Sequence, residues 1–159
     1  MKKMLISFLL ILSAVLLMGQ EKKVEKEIDR FYFNAAENYY LQEYDSAIVK
    51  FDILDFLYED NSNIKYFLGM CYFFKSEFNT AITYYEESLI DVEYTNEYQN
   101  GKYAPHVVYF YLAYCYEKIG QFEAAINAYD DYINYEKNKE IIYNTKKRIE
   151  IIKLFHNLN

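Results

Sequence analysis

A short motif occurs three times in this chain, at a spacing that fits one helical hairpin per copy. In each copy an aromatic residue lies three positions before the Ala of an Ala-Ile pair, and another aromatic lies four positions after that Ala. The three Ala residues are Ala47, Ala81 and Ala125, at intervals of 34 and 44 residues. The 34-residue interval predicts a repeat protein, whose units bury their apolar faces against one another, and the second interval is the same period plus ten residues. The longer second interval predicts an insertion at about residues 91–104.

The residues around each Ala have the period of a helix. Phe122, Ala125, Ile126 and Tyr129 follow the i, i+3, i+4, i+7 pattern and so share one helix face. The single methyl of Ala lets two helix axes approach to about 8–10 Å. Four Gly and one Pro are too few for the turns of a many-stranded fold. We therefore predict an all-α chain, with helices at about 22–42, 45–59, 63–75, 79–92, 105–119, 122–136 and 139–156.

Several residues are typical of helix ends. Asn61 to Asn63 supply a stop and an N-cap, Pro105 suits the first turn of a helix, and Gly120 suits a C-terminal turn. The last helix combines apolar residues with many Lys, which is the composition expected of a cap with a polar outer side.

The repeated residues resemble those of the tetratricopeptide repeat family. Each unit also has a small residue followed three positions later by Tyr, as the pairs Ala36 and Tyr39, Gly69 and Tyr72, and Ala113 and Tyr116 show. The family's usual Trp is replaced by Lys65 and Tyr109, and its Pro is missing. Counting from these pairs, repeat 1 is one residue short in its inner turn, near Gln42 and Glu43.

The resemblance implies an α-solenoid of about three helix-turn-helix repeats that binds proteins and has no catalytic activity. The repeats would span residues 22–136, as units at about 22–60, 63–92 and 105–136, and residues 137–159 would form the C-terminal capping helix.

The first helices of such a stack line its concave face, which predicts a partner-binding groove. The inward positions lie three before and one, four and five after the small residue of each repeat. Most of these positions are apolar or aromatic, and a large apolar patch usually marks a binding surface. These positions hold Phe33, Glu37, Tyr40 and Leu41 in repeat 1, Tyr66, Met70, Phe73 and Phe74 in repeat 2, and Phe110, Tyr114, Glu117 and Lys118 in repeat 3. The predicted partner-binding residues among them are Phe33, Tyr40, Tyr66, Met70, Phe73, Phe74, Phe110 and Tyr114. The last helix or the insertion could instead fill this groove.

The N-terminus has the pattern of a targeting segment. Lys2 and Lys3 precede an apolar run from Met4 to Met18, followed by Gly19. The positive start, the short apolar run and the small residue at its end are typical of a secretory signal peptide, residues 1–19. A retained N-terminal anchor is the alternative, and it would attach the protein to a membrane. Either reading predicts export, to the periplasm or beyond.

The residues that could carry chemistry do not form a known pattern. Cys71 and Cys115 occupy equivalent repeat positions about 10 Å apart, beyond the usual reach of a disulfide, so we expect two buried free thiols. A disulfide stays open as the alternative, because the compartment is oxidising and the insertion could shift repeat 3. His106 and His156 are the only imidazoles, and neither has a partner at catalytic or metal-binding spacing. We predict no enzyme activity, metal or cofactor. The net charge of −7 argues against nucleic acid as a partner.

These observations predict an exported module of the bacterial cell envelope that binds a protein or peptide in an aromatic groove. Two other functions stay open, namely a structural subunit of an envelope assembly and a carrier of a small apolar ligand.

Overall fold

The computed structural model of the chain describes residues 2–58, 61–93 and 103–158. These residues form helices stacked in pairs, and one short parallel pair of strands. The elements in chain order are α1 (Lys2–Tyr40), α2 (Tyr44–Leu57), α3 (Ser62–Phe74), α4 (Phe78–Ser88), β1 (Val92–Glu93), β2 (Ala104–Pro105), α5 (Val108–Lys118), α6 (Phe122–Tyr135) and α7 (Lys139–His156). Each helix packs against the next along the chain. The predicted all-α solenoid is therefore confirmed.

Small residues lie where the helices of each pair cross. Ala47, Ala81 and Ala125 have no exposed surface, and neither do the aromatic residues four positions later, Phe51, Tyr85 and Tyr129. The absence of longer side chains at the crossing brings the backbones together, and the rings fill the space beside it. These six residues form the repeated core of the stack.

The turn inside each helix pair is the same in all three repeats. One residue in each turn has a positive φ, with values of 62° at Gln42, 62° at Ser76 and 79° at Gly120. The next residue donates its backbone N–H to a carbonyl five positions earlier, in the pairs Glu43 to Asn38, Glu77 to Tyr72 and Gln121 to Tyr116. This is the geometry of a helix C-terminus closed by a left-handed residue. The expected C-terminal turn at Gly120 is confirmed.

The equal turns correct the sequence alignment of repeat 1. Repeat 1 is not one residue short, because Ala35, Gly69 and Ala113 each lie twelve positions before the crossing Ala of their repeat. Ala35 is fully buried, whereas Ala36 is only partly buried. The earlier alignment matched Tyr39 with Tyr72 by residue type. The turn hydrogen bonds instead match Asn38 with Tyr72.

The insertion returns to the stack through its two ends. The backbone N–H of Ala104 donates to the carbonyl of Asp91 at 2.9 Å, and β2 packs against α3. Residues 94–102 of the predicted insertion lie outside the described residues. The expected position of Pro105 in the first turn of a helix is wrong, because Pro105 belongs to β2 and α5 begins at Val108. The predicted extension of the fourth helix to residue 92 is also wrong, since α4 ends at Ser88.

The first and last helices of the stack differ in length and in how they begin. α1 includes residues 2–19 in one continuous helix with the first repeat, so it starts well before the predicted residue 22. Among the helices described here, none combines the length and apolarity needed to cross a membrane. At the other end, Asn138 caps α7 by accepting from the N–H groups of Glu140 and Ile141.

Candidate protein-binding face

Five aromatic rings on the first helices of the three repeats touch one another in sequence. The ring centroids are 5.2 Å apart for Tyr39 and Tyr40, 6.1 Å for Tyr39 and Phe74, 5.3 Å for Phe73 and Phe74, and 5.6 Å for Phe73 and Tyr114. We call this row the aromatic ladder. It joins α1, α3 and α5, and most of its pairs are edge-to-face, which is a favoured arrangement.

The ladder is partly open to solvent. Tyr40 is 59% exposed and Phe74 is 47% exposed, although both touch buried neighbours. The ring of Tyr44 stacks under Phe74 with centroids 5.5 Å apart and planes 7° from parallel. These contacts hold two large apolar surfaces in fixed positions facing water. Rigid aromatic side chains of this kind are the usual anchors of a binding surface.

Two cations cover the repeat 3 end of the ladder. The ammonium of Lys118 lies 4.9 Å from the ring centroid of Tyr114, and the guanidinium of Arg148 lies 5.5 Å from it. Arg148 also binds Glu117 through two hydrogen bonds of 2.8 and 3.0 Å. Because Lys118 is equivalent to Tyr40 and Phe74 in its repeat, the open surface changes from aromatic to cationic along the stack. The contribution of Arg148 from the capping helix was missed by the sequence analysis.

Two predicted groove residues are corrected by the structure. Tyr66 has no exposed surface and Met70 is 1% exposed, so neither lines an open groove. The hydroxyl of Tyr85 donates to the Met70 sulfur at 3.1 Å, and the rings of Tyr66 and Tyr85 are 6.3 Å apart. A Cβ atom at Gly69 would lie only 2.5 Å from the Tyr85 ring. The missing side chain at Gly69 therefore lets Tyr85 reach across and bury Met70.

The corrected register also moves the groove positions of repeat 1. Counted from Ala35, the inward positions are Tyr32, Ala36, Tyr39 and Tyr40. Phe33 is exposed, but its equivalents are Phe67 and Tyr111, so it belongs to a different side of its helix. Glu37 and Leu41 are displaced in the same way, and both are exposed. Tyr40 is the residue that the two registers share. The signal for this register in the sequence is the position of the turn residues, because aligning Gln42 and Ser76 with Gly120 gives the same register as the structure.

The remaining predicted groove residues lie on α3 and α5. Phe73, Phe110 and Tyr114 are half-buried. The Phe110 ring packs on Tyr129 at 5.7 Å and on Tyr132 at 5.5 Å, so much of its surface serves the core of repeat 3. Phe73 and Tyr114 touch each other within the ladder. The structure thus brings Tyr40, Phe73, Phe74 and Tyr114 onto one face.

The cysteines are buried free thiols, as expected. Cys71 and Cys115 have no exposed surface and form no disulfide. Burial raises the pKa of each thiol to about 12, with the Asp52 carboxylate adding to the effect at Cys71. The thiol is the form that prevails at neutral pH, so both residues act as small apolar side chains.

His106 is tied to the end of α6. Its side chain is almost fully buried, with Nε2 3.4 Å from Oε2 of Glu136 and its ring stacked on Tyr132 at 5.6 Å. Burial opposes ionisation of Glu136, but hydrogen bonds from the Asn138 and Lys137 N–H groups, the Tyr132 hydroxyl and His106 lower its pKa. These contacts fix the insertion end to the third repeat. In the ranges given above, no three His, Cys, Asp or Glu side chains converge as a metal site would require.

The third repeat matches a known family. Residues 107–138 fit the family model described as a tetratricopeptide repeat. No curated protein sequence is significantly similar to the chain.

Solved structures share most of this fold at low sequence identity. The type III secretion translocator chaperone SycD of Yersinia enterocolitica has a TM-score of 0.67 and 20% identity, over 82% of this chain and 86% of SycD. PcrH, solved with the chaperone-binding region of PopD, has a TM-score of 0.67 and 17% identity, over 83% of this chain and 95% of PcrH. MamA has a TM-score of 0.65 and 18% identity, over 82% of this chain and 69% of MamA.

These matches define the class of protein. The chain is a solenoid of tetratricopeptide-like repeats, a fold whose general role is to bind other proteins. The resemblance predicted from the sequence is therefore confirmed.

Proposed function

We propose that this protein is a non-catalytic module that binds an apolar segment of a partner protein on the aromatic ladder. The observation that carries the proposal is the exposure of Tyr40 and Phe74, each more than two-fifths open to solvent and held by ring contacts. Burial of a large side chain from a partner releases about 25 cal/mol for each Å² of apolar surface. Because the rings are already ordered, little conformational entropy is lost on binding.

The charges at the repeat 3 end suggest the orientation of the bound segment. Lys118 is exposed above Tyr114, and Arg148 is partly exposed beside it. A segment with apolar side chains on Tyr40 and Phe74 would place its next residues near these cations. An acidic residue there would gain a charge-assisted contact, so we expect a segment that is apolar at one end and acidic at the other.

The structural neighbours support a peptide or protein partner. SycD has been solved with a peptide of the translocator YopD, and PcrH with a region of PopD. Those complexes belong to those proteins, and at 17–20% identity they share only the fold with this chain. They support the proposal because a similar helical stack can hold a segment of another protein.

The proposed location is the bacterial cell envelope. The support is the sequence of residues 1–19, with two Lys before an apolar run and Gly19 after it. Mass spectrometry of the protein purified from its own cells measures whether these residues are removed. A protein found in the cytosol with an intact N-terminus would contradict this location.

Peptide display on the purified protein tests the binding face. We expect the protein to enrich peptides with spaced apolar residues, and the combined change Tyr40→Ala and Phe74→Ala to weaken their binding at least tenfold, as measured by fluorescence anisotropy. Lys118→Glu should weaken the binding of acidic peptides by about tenfold. The matched control is Tyr143→Ala with Leu154→Ala, which removes two exposed apolar side chains from α7.

The control should leave peptide affinity unchanged. Equal losses in the control and in the ladder variant, with native helicity by circular dichroism, would show that the ladder is not the binding face. Enrichment of no peptide at all would count against peptide binding itself.

A further inference from the structure

A second apolar surface lies away from the aromatic ladder, between α1 and the end of α2. It is a groove of about 680 Å³, which we call the α1–α2 groove. Its rim carries Gln20, Lys23 and Glu27. Its walls are apolar and consist of Val24, Ile28, Phe31, Ile53, Leu54 and Leu57.

Four of the six α1 residues that line this groove, Gln20, Lys23, Val24 and Glu27, have no counterpart in the later repeats. α3 begins at Ser62, which is equivalent to Ile28 of α1, so residues 20–27 are an addition to the repeat pattern. One wall of the groove is therefore built largely by a segment that the stacking of the repeats does not need. The core of the solenoid does not explain why this segment is helical and partly apolar.

The neighbouring surface of α2 is apolar where the later repeats are polar. Val49 is 61% exposed and Ile53 is 46% exposed. The equivalent residues are Thr83 and Glu87 in α4, and Asn127 and Asp131 in α6, all of them exposed. These two positions are therefore apolar in α2 and polar in both α4 and α6. An exposed apolar surface confined to one of three equivalent helices indicates that something covers it.

The charges at the rim indicate what covers it. Lys23 and Glu27 lie one helical turn apart on the side of α1 that lines the groove, next to Val24 and Ile28. In a twofold contact, residue i of one copy meets residue j of the other, and j meets i. Antiparallel α1 helices would then place Lys23 opposite Glu27 of the partner subunit, twice.

We propose that the α1–α2 groove is the contact surface between two copies of this chain. The side chains of Val24 and Ile28 from each copy enter the groove of the other, and Ile53 and Leu57 cover them. The two Lys–Glu pairs at the rim set the antiparallel orientation. Glu27 also accepts a hydrogen bond of 3.4 Å from Arg30 of its own helix, but both side chains are largely exposed, and this hydrogen bond uses only one oxygen of Glu27. A lipid or a small apolar ligand would fill the walls of the groove without using Lys23 or Glu27. This contact leaves the aromatic ladder open, so it is independent of peptide binding.

Sedimentation velocity of the full-length protein, over a range of concentrations, tests the proposal. We expect a dimer for the unmodified chain and a dissociation constant raised at least tenfold by Ile53→Glu. The fold tolerates this change, because Glu87 occupies the same position in α4. The matched control is Ile90→Glu, which adds a carboxylate at another exposed Ile and should leave the dimer intact.

Charge reversal tests the orientation. Lys23→Glu alone or Glu27→Lys alone places like charges opposite each other and should weaken the dimer by about tenfold. The double variant K23E/E27K restores opposite charges and should recover most of the affinity. A monomer at every concentration, an Ile53→Glu variant that dimerises normally, or a double variant no tighter than the singles would overturn the proposal. Native mass spectrometry of a monomer carrying a small apolar molecule would assign the groove to that ligand instead.

Discussion

Repeats 2 and 3 have the same helix register, but the side chains on their inner faces differ in burial. In repeat 2, Tyr66 and Met70 are buried, whereas the equivalent Phe110 and Tyr114 of repeat 3 are only partly buried. The rings behind them also differ in their contacts. Tyr85 donates its hydroxyl to Met70, while the equivalent Tyr129 donates to Glu117.

The difference follows from one side chain at the helix crossing. Gly69 has no Cβ, so the Tyr85 ring lies where a methyl group would be, and its hydroxyl reaches the inner side of α3. Ala113 keeps its methyl, and the Tyr129 hydroxyl meets the charged residues Glu117 and Arg148 instead. The inner face of repeat 2 thus belongs to the core, and that of repeat 3 is joined to the capping helix. A position in the repeat does not determine by itself whether a side chain faces a partner.

The largest effect should come from removing the buried ring of repeat 2. Tyr66→Ala leaves a cavity in a fully buried site and should lower the free energy of unfolding by about 3–5 kcal/mol. Phe110→Ala, at the equivalent partly buried position, should lower the free energy of unfolding by about 1–3 kcal/mol, because part of that ring is already in contact with water. Urea unfolding followed by circular dichroism measures both values. Equal losses would contradict the difference in burial.

A smaller effect is expected when the crossing residues are exchanged. Gly69→Ala forces a methyl against the Tyr85 ring and should destabilise the protein by about 1–3 kcal/mol, even though Ala is the better helix former. Ala113→Gly should cost about 1 kcal/mol from helix propensity alone. The measurement is again urea unfolding.

The double variant Gly69→Ala with Tyr85→Leu isolates the clash. Leu lacks the ring that the new methyl would meet, so the double variant should lose less stability than the sum of the two single changes. Strict additivity would show that the close approach of Tyr85 is not the cause.

The helix pairs could be predicted from the sequence, but the burial of every residue in them could not. The crossing Ala residues and the rings that follow them could be predicted, because a small residue and a large one at fixed spacing leave one way to pack two helices. The burial of Met70 could not, since it depends on how far the Tyr85 ring moves into the space left by Gly69.

Two predictions made from residue type alone were wrong because backbone hydrogen bonds decide the structure at these positions. Pro105 suits the start of a helix, but the hydrogen bond between Ala104 and Asp91 holds it in β2. Tyr39 matched Tyr72 by residue type, but the hydrogen bonds of the turns align Asn38 with Tyr72. Tyr40 and Phe74 are exposed, and both registers place Tyr40 at an inward position of its repeat. Their role in binding a partner stays a prediction.

The smallest effect concerns pH, because repeat 3 carries a buried ionised group and the core of repeat 2 does not. Hydrogen bonds to its charged form lower the pKa of Glu136 in the folded protein, although burial acts in the other direction. A lowered pKa means that the folded state binds this proton less readily than the unfolded state. The stabilisation is therefore complete above the ordinary carboxyl pKa of about 4.3 and is lost as the pH falls through the lower folded value.

Glu136→Gln should remove this dependence. At neutral pH the variant should be less stable by about 1 kcal/mol, because a neutral amide is a weaker acceptor for the Tyr132 hydroxyl and the two backbone N–H groups. Below pH 4 the variant and the unmodified protein should converge. The control is Asp131→Asn, which removes an exposed carboxylate of α6 without changing the contacts of Glu136 at the end of that helix. If urea unfolding from pH 7 to pH 3 gave parallel curves for Glu136→Gln and the unmodified protein, the contacts of Glu136 would not stabilise its charge.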